Sequence, residues 1–573
     1  MNEENLGIPS TISNLLNPSI EFFDLLGGSN LEVGIGITTD NIGNIYITGG
    51  TISPDFETTS NAIQNNFRGG DEFRNSDAFV AKYAPDGTLT YATYIGGNGE
   101  DFGTDIAVDP ITGDIYVTGN TNSVDFPTVN ALQNTYGGGD LSGDAFIVKL
   151  SNDGSNILYS TYLGGQDNDF SSAIAVDNNR NIYITGYTGA TLRFPMQPIP
   201  GFGDFPTTEN ALQQTLVSEF DQDAFVSKIS TDGNQLIYST LLGGNDTEIS
   251  QDITVDNNGS AYITGQTRSL NFPIANAVQN TIGGDGDVFI TQLNSDGSDL
   301  IFSTYYGAVD GDIGNGIVVN DVGDIYVAGS SANQIMGGDA IAPPVGEFPT
   351  VNALYDTFGG GESDGILMKI NSDRLVEYAT YLGTENSDSI ESIDLDAAGN
   401  IYAVSNNNLF NTVVSKISND GQVIEYSIPF RINDNLGVLS NDIEVDEVGN
   451  AYFVGFTIPA FGSESSIEDA FVAKLAANSS SPGIPYSFNE NLYLIENPGV
   501  GDTVAKGLIS SGLEHWLKFG FSEGRSPQFA FDEQFYLATY PGVANAVVNG
   551  VFINGLEHYV KFGREEGRLP IGN

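Results

Sequence analysis

One short phrase built around a tyrosine recurs seven times, and this repetition constrains the fold more than any other feature of the chain. Typical copies are GNIYITG at Tyr46 and GDIYVTG at Tyr116. The seven tyrosines, about 68 residues apart on average, are Tyr46, Tyr116, Tyr183, Tyr262, Tyr326, Tyr402 and Tyr452. A period of this length predicts a repeat architecture, in which each unit buries its faces against its neighbours.

Three further phrases accompany most of the tyrosines in a fixed order. A segment similar to Ile-x-Val-Asp precedes the tyrosine, a DAFVAK-like segment follows it, and a YSTYLGG-like segment comes last. Each segment is short, rich in β-branched and aromatic residues, and bounded by Gly, Asn and Asp, which is typical of strands joined by tight turns. Four antiparallel strands in each of seven units predict an all-β fold, a seven-bladed β-propeller.

The two ends of the repeat region predict how the ring closes. The segment from Ser19 to Gly28 reads as a fourth strand without the three that should precede it. The last propeller segment, which begins at Asp469, reads as a third strand without a fourth. We therefore expect the N-terminal strand to complete the last blade, which leaves no open edge at that point.

The ordered set of phrases resembles a known family. LGG, IAVD, GNIYVTG, DFP, DAFVAKL and YSTYLGG in this order are similar to the bacterial SBBP (seven-bladed β-propeller) repeat, over roughly residues 19–480. The sixth and seventh blades depart from the pattern because they are shorter and lack the DFP insert. The resemblance implies an extracellular or surface scaffold and does not imply a reaction.

A second, shorter repeat follows the first. The segments Phe488–Pro527 and Phe531–Pro570 align at an offset of 43 residues, and the apolar spacing of LEHWLKFG predicts a short helix ended by glycine. The two units resemble small helical tandem modules of secreted, often calcium-binding, cyanobacterial and proteobacterial proteins. We therefore expect a propeller over residues 1–478, a linker over 479–486 and two α-helical repeats over 487–573.

Composition excludes several classes of function. The chain has 74 acidic and 19 basic residues, a net charge of −55, so binding to a nucleic-acid backbone is not expected. It has no cysteine, and no apolar run long enough to span a membrane. Its first residues lack the basic region of a secretory signal. We expect an extracellular or cell-surface protein, exported by a route without a cleaved N-terminal signal in this chain.

Acidic residues recur at two positions of the repeat. One series lies just before the first strand, where we expect it to ring the upper mouth of the central channel; its six members are Glu32, Asp101, Asp169, Glu248, Asp312 and Asp388, with Val438 in the last blade. A second series precedes the third strand and consists of Asp71, Asp77, Asp140, Asp144, Asp221, Asp223, Asp285, Asp287, Glu362 and Asp364. Clustered carboxylates suit calcium, which we predict at the six residues of the first series. Alternatively, the acids cap turns and keep the surface soluble.

Basic residues and histidines point away from catalysis. The six lysines of the propeller all end third strands, which indicates a structural role between blades. Both histidines, His515 and His558, lie in the C-terminal repeats, so the propeller has none for a catalytic triad or a histidine-ligated metal.

The sequence therefore favours a non-enzymatic scaffold, stabilised by calcium, that binds protein or polysaccharide through the variable loops of its upper face. The alternative is a carbohydrate-active enzyme, a lyase or a glycosidase, that uses carboxylates of that face. The sequence does not predict the oligomeric state.

Overall fold

The computed structural model describes residues 20–69, 76–139, 143–189, 204–218, 221–309, 311–332, 348–408, 411–430, 436–459 and 468–477. These residues form the strands β1 (Ile20–Leu26), β2 (Glu32–Thr39), β3 (Ile45–Thr51), β4 (Asp77–Tyr83), β5 (Leu89–Ile95), β6 (Asp101–Val108), β7 (Ile115–Thr121), β8 (Asp144–Leu150), β9 (Ile157–Leu163), β10 (Asn168–Val176), β11 (Ile182–Gly189), β12 (Gln222–Ile229), β13 (Leu236–Leu242), β14 (Glu248–Val255), β15 (Ala261–Thr267), β16 (Asp287–Leu293), β17 (Leu300–Tyr306), β18 (Asp312–Val319), β19 (Ile325–Ala332), β20 (Ser363–Ile370), β21 (Val376–Leu382), β22 (Asp388–Leu395), β23 (Ile401–Asn407), β24 (Asn411–Ile417), β25 (Ile424–Phe430), β26 (Leu436–Val445), β27 (Ala451–Pro459) and β28 (Ala470–Leu475).

The strands form seven sheets of four strands each. Blades 1 to 6 are β2–β5, β6–β9, β10–β13, β14–β17, β18–β21 and β22–β25, each in chain order. Blade 7 has the order β1-β28-β27-β26, so the N-terminal strand completes the last blade. The predicted seven-bladed propeller and its closure by the N-terminal strand are both confirmed.

The first strand of every blade lies innermost and contacts the first strands of both neighbouring blades. The ring closes because β2 contacts β6 on one side and β26 on the other. The second strands are buried along most of their length, as in β3, where all seven residues are buried. The hydrophobic clusters lie between blades: Tyr46 of blade 1 packs with Phe146 and Tyr162 of blade 2. No blade could keep its faces dry alone, which explains the repeat.

The DFP insert protects the outer edges of blades 1 to 5. In blade 2, Phe126 of the insert packs on Phe146 and Tyr162, with ring centroids 4.6 and 5.9 Å apart. Val129 then exchanges two backbone hydrogen bonds with Ser160 of the outer strand β9, at 3.0 and 2.8 Å. Equivalent backbone bonds occur in the other four blades, at Thr59–Ala92, Thr208–Ser239, Ala275–Ser303 and Val351–Ala379. The start of each insert is therefore part of the frame, because it covers an edge strand.

The predicted combination of a propeller with an α-helical C-terminal tandem repeat needs correction. Across the described ranges every regular element is a strand, and the fold they support is all-β, with no helix and therefore no helical membrane span. The linker at 479–486, the repeats at 487–573 and both histidines lie outside those ranges, and the domain boundaries stay a prediction. The helix was inferred from an eight-residue apolar pattern alone, and a pattern of about two turns is too short to specify a helix.

The structural role predicted for the lysines is confirmed. In six blades the ammonium group lies 4.7 to 5.3 Å from the ring centroid of the repeated tyrosine; the pairs are Lys82–Tyr46, Lys149–Tyr116, Lys228–Tyr183, Lys369–Tyr326, Lys416–Tyr402 and Lys474–Tyr452. Lys228 also lies 3.5 Å from an oxygen of Asp177 and donates to the carbonyl of Ser295 in blade 4. Each such lysine combines a cation–π contact with bonds to neighbouring groups.

Replacing one of these lysines should destabilise the protein measurably. We expect Lys228→Gln to lower the free energy of unfolding by about 1–3 kcal/mol, because the cation–π contact is lost and the buried Asp177 loses its cation. Blade 4 shows that glutamine fits, since Gln292 occupies the equivalent position and donates to the hydroxyl of Tyr262. Denaturant unfolding measures the loss. The control is Arg268→Gln, which removes one positive charge from an exposed side chain. An equal loss of unfolding free energy in this control would show that the effect comes from net charge and not from the buried contacts.

Candidate functional site

Strand register brings the two acidic series to the same face of the ring. Glu32 begins β2 and pairs with Thr51 at the end of β3, and Thr51 in turn pairs with Asp77 at the start of β4. Blade 2 repeats this register with Asp101, Thr121 and Asp144. Because neighbouring antiparallel strands reverse direction, first strands and third strands begin on one face, which we call the upper face.

The six predicted calcium ligands are buried inside the junctions between blades. Five of them are 0% exposed, and Asp388 is 7% exposed. Each accepts an N–H from the loop that arrives from the preceding blade, over 2.6 to 2.9 Å; the donor–acceptor pairs are Gly28–Glu32, Gly97–Asp101, Gly165–Asp169, Gly244–Glu248, Ala308–Asp312 and Thr384–Asp388. The structure therefore places these acids where one blade is joined to the next, away from solvent.

Hydroxyl groups complete the surroundings of these acids. Thr51 donates to Glu32 at 2.6 Å, and Thr267 donates to Glu248 at 2.6 Å. At Asp101 two hydroxyls donate, from Thr121 and Ser123. The Thr-x-Ser sequence that starts at the last residue of each of these second strands thus supplies hydroxyl groups beside the acid.

Each of the six acids also faces a second carboxylate, from the third strand of the preceding blade. At Gly96, a Cβ atom would lie 2.8 Å from Asp77 Oδ1 and 2.8 Å from Asp101 Oδ2, so the two carboxylates approach the same small space. We call these acids the junction pairs: Asp77–Asp101, Asp144–Asp169, Asp223–Glu248, Asp287–Asp312, Asp364–Asp388 and Asp469–Glu32. Sequence analysis found both series but not their pairing, and it missed Asp469.

The remaining acids of the second series are not members of the pairs. Asp71 and Asp140 lie outside the described residues. Asp221, Asp285 and Glu362 each lie two positions before a paired residue.

Burial makes the charged form of Asp77, Asp101 and Glu248 in the junction pairs unfavourable. It raises the pKa of Asp77 to about 7, and the neighbouring charge of Asp101 adds to the effect. It likewise raises the pKa of Glu248 to about 7 and that of Asp101 to about 6. The hydrogen bonds from hydroxyl and N–H groups act in the opposite direction but are outweighed.

The seventh junction, between blades 6 and 7, lacks the pair altogether. Asn411 replaces the third-strand acid and Val438 replaces the first-strand acid. Arg431 stands where the other junctions have glycine. Both acids and the glycine are therefore replaced together, which indicates that they form one unit.

A further group of acids lines the central channel, and sequence analysis missed it. The channel has a cavity volume of about 660 Å³, and no Lys or Arg of the described chain lines it. Its acidic lining residues are Asp105, Asp252, Glu391, Asp394, Asp442 and Glu444. Each keeps part of its surface open to the channel although it lies deep within the ring. The acids recur irregularly, on blades 2, 4, 6 and 7, so a search for positions shared by all blades passes over them.

Five of the six channel acids, all except Glu391, accept an N–H from the inner strand of a neighbouring blade. Asp252 follows a β-bulge in β14 and accepts N–H groups from Ile253 at 2.7 Å and from Ile317 of the next blade at 2.8 Å. Asp105 makes the corresponding bond to Ile174. Burial raises the pKa of Asp252 to about 7, and the charge of Asp442 adds to the shift. The bulge turns the carboxylate towards the next blade.

No group of three or more His, Asp or Glu side chains is arranged to hold a metal ion in the part of the propeller that the structure describes. Calcium binding at the six residues of the first series stays a prediction. The arrangement shown joins blades through buried carboxylates, in pairs at the upper face and singly along the channel.

Comparison with known families supports the repeat assignment. Three segments, residues 90–127, 158–192 and 237–273, match the SBBP family, described as "Beta-propeller repeat". Each matched segment runs from the outer strand of one blade through the first two strands of the next. The matches therefore span three junctions and include Asp101, Asp169 and Glu248.

Individual relatives are distant. A stretch of 220 residues is 26% identical to "Uncharacterized WD repeat-containing protein L264" of Acanthamoeba polyphaga mimivirus, covering 34% of this chain and 15% of that protein. Among solved structures, the polysaccharide lyase Uly1 is similar with a TM-score of 0.41 and 9% identity, over 77% of this chain and 89% of that one. The β-propeller domain of the Trilobed protease from Pyrococcus furiosus has a TM-score of 0.37 and 8% identity, over 79% and 94%. These similarities give no information on activity. The strands identify the chain as a seven-bladed β-propeller, and three of its segments match the SBBP repeat.

Proposed function

We propose that the protein is a non-enzymatic extracellular or cell-surface scaffold that binds protein or polysaccharide through its upper face. The observation that supports this most is how the acids are used. Asp101 is fully buried and Asp252 borders the channel, and each accepts two or more hydrogen bonds that hold loops or neighbouring blades in place. Carboxylates engaged in this way make a rigid frame, on which variable loops can carry binding.

The upper face also presents apolar side chains at equivalent positions. Val124 is 76% exposed and Leu270 is 85% exposed, and each lies directly before the acid or amide of a DFP-like insert. Pro54 occupies the same position in blade 1 and is also exposed. Apolar groups held on a rigid, polar surface favour a docking role for this face.

The alternative, a carbohydrate-active enzyme, draws on the raised pKa values of paired acids such as Asp77 and Asp101. A glycosidase pairs a carboxylic acid of raised pKa with a second carboxylate that stays ionised. Asp77 and Asp101 are both 0% exposed, however, so a glycan could not reach them without opening the junction. This burial favours the scaffold.

Binding and turnover can be measured in one experiment on the full chain. We expect an array of immobilised bacterial polysaccharides to retain the protein without release of reducing ends or unsaturated products. The double variant Val124→Ser, Leu270→Ser should lower affinity about tenfold, equivalent to about 1.4 kcal/mol. The matched control is Ile42→Ser, Ile111→Ser, since these side chains are 77% and 72% exposed in turns at the opposite face. Products that accumulate with protein concentration would establish the enzyme, and equal losses in both double variants would reject the upper face.

A further inference from the structure

In three junction pairs, the third-strand acid has a buried carboxylate oxygen that makes no hydrogen bond of normal geometry to the described residues. These are the Oδ1 atoms of Asp77, Asp287 and Asp364, and all three residues are 0% exposed. The other oxygen of Asp77 is well engaged, by Gln64 Nε2 at 2.8 Å and by the N–H of Arg68 at 2.9 Å. Leaving a buried, charged oxygen without a partner is strongly unfavourable, so each of these atoms needs either a cation or a proton.

In two of these pairs, the unpartnered oxygens of Asp77 and Asp287 face the second carboxylate. A Cβ atom on Gly307 would lie 2.5 Å from Asp312 Oδ2 and 2.9 Å from Asp287 Oδ1, the same arrangement as at Gly96. Both atoms therefore border one small space between two blades. Hard divalent cations take carboxylate, hydroxyl and carbonyl oxygens, which are the groups present there.

The seventh junction shows what happens when the charges are absent. Asn411 and Val438 carry no charge between them, so no positive ion is needed to balance the site. Val438 is fully buried and blade 7 still packs against blade 6 there. A junction can therefore form without a pair. Packing of the blades alone does not explain why the other six junctions contain two carboxylates.

We propose that each junction pair binds one hard divalent cation of the calcium class, which joins a third strand to the first strand of the next blade. The proposal deepens the scaffold function proposed above and rests on it, and it adds calcium, which the sequence also predicts, as the ion that stabilises the frame. It replaces a single ring of six acids around the channel mouth by six separate sites. Each site supplies two carboxylates, and hydroxyl, carbonyl or water oxygens complete the coordination. A proton would also reduce the charge of a pair, so the experiment must distinguish a bound cation from a bound proton.

The test counts ions and removes one site. The full chain, stripped with a chelator and then dialysed against CaCl₂ at pH 8, should retain about six calcium ions per chain by native mass spectrometry, since calcium favours sites with two carboxylates. The double variant Asp287→Asn, Asp312→Asn should retain one ion fewer and still fold, because the seventh junction is naturally neutral. Asp285→Asn is the matched control, since this acid lies two residues away and outside the pair; it should retain the full number.

Melting curves provide the second measurement. Calcium at a hundredfold excess over its dissociation constant should raise the free energy of unfolding by about 2.7 kcal/mol per site, more than NaCl of equal ionic strength. Equal responses to the two salts, with no ion retained, would overturn the proposal. A junction pair that is instead stabilised by acid, with no effect of calcium at pH 8, would assign the site to protons and also overturn it. Neither outcome depends on polysaccharide binding, so failure here leaves the scaffold proposal standing.

Discussion

A chain that lacks residues 1–28 should be destabilised throughout the ring, by more than about 4 kcal/mol. Deletion removes β1, the outer strand of blade 7, and with it Phe23, whose ring lies 5.5 Å from Phe430 of blade 6 and 5.7 Å from Phe471 of β28. Because each blade is dry only when both neighbours are in place, loss at blade 7 weakens the contacts of blades 6 and 1 as well. Differential scanning calorimetry measures the change in melting temperature.

Point variants in the full chain measure how much individual contacts of β1 contribute to this stability. Phe23→Ala should cost about 2–4 kcal/mol, since it removes the aromatic contacts and leaves the backbone pairing. Ile20→Ser is the control, because that side chain is 45% exposed in the same strand. A truncated protein that melts at the wild-type temperature would show that the ring does not depend on closure by β1.

The calcium-free protein should become more stable as the pH falls from 8 to 5, in contrast to proteins held by carboxylate salt bridges. Burial raises the pKa of Asp252 and Asp394 to about 7 and that of Asp442 to about 6, whereas an unfolded chain returns them to about 4. The folded state therefore binds more protons between about pH 4 and pH 7. Stability rises as the pH falls through that window and is lost as the pH rises through the folded values.

The size of the effect should be a few kcal/mol in total, since the channel acids keep some contact with water and each contributes on the order of 1 kcal/mol. Groups with lowered pKa values act in the other direction only at lower pH: hydroxyl and N–H bonds hold the pKa of Asp153 at about 2. Denaturant unfolding in chelator at pH 5, 6, 7 and 8 measures the slope. A stability maximum at pH 8 would contradict the expected sign.

Glu444→Gln isolates one channel acid from the rest. Burial and the charges of Asp394 and Asp442 raise the pKa of Glu444, and its side chain accepts an N–H from Thr39 that glutamine can also accept. We expect the variant to be about 1 kcal/mol more stable than the wild type at pH 8 and unchanged at pH 5. Glu447→Gln, an exposed acid nearby, should show neither effect.

The repeat phrases were sufficient to predict the blades, because each strand type carries a distinct pattern that recurs in order. The closing strand was predictable for the same reason: Ser19–Gly28 has the pattern of a fourth strand and no other place in the ring. The lysines were predictable as structural because they share one position. Their contacts with the repeated tyrosines follow directly from the strand register.

The pairing of acids across a junction could not be predicted from the sequence, because it depends on how two neighbouring blades pack. Asp77 and Asp101 are 24 positions apart, and only the packed glycine between them brings their oxygens together. The channel acids were missed because no sequence motif indicates the β-bulge that turns Asp252 towards the next blade. The short apolar pattern around Trp516 was too brief to specify a helix. The strand patterns were more reliable because they recur in seven units.

Amide hydrogen exchange tests most directly whether buried carboxylates join the blades. The N–H groups of Ile37, Ile174 and Ile317 donate across a blade boundary to Asp442, Asp105 and Asp252, at 2.8 to 2.9 Å. If these contacts hold the ring together, the three amides should exchange only when the whole ring unfolds, as slowly as the buried amides of β3. Exchange at the rate of a surface loop, with β3 still protected, would show that the carboxylates do not join the blades.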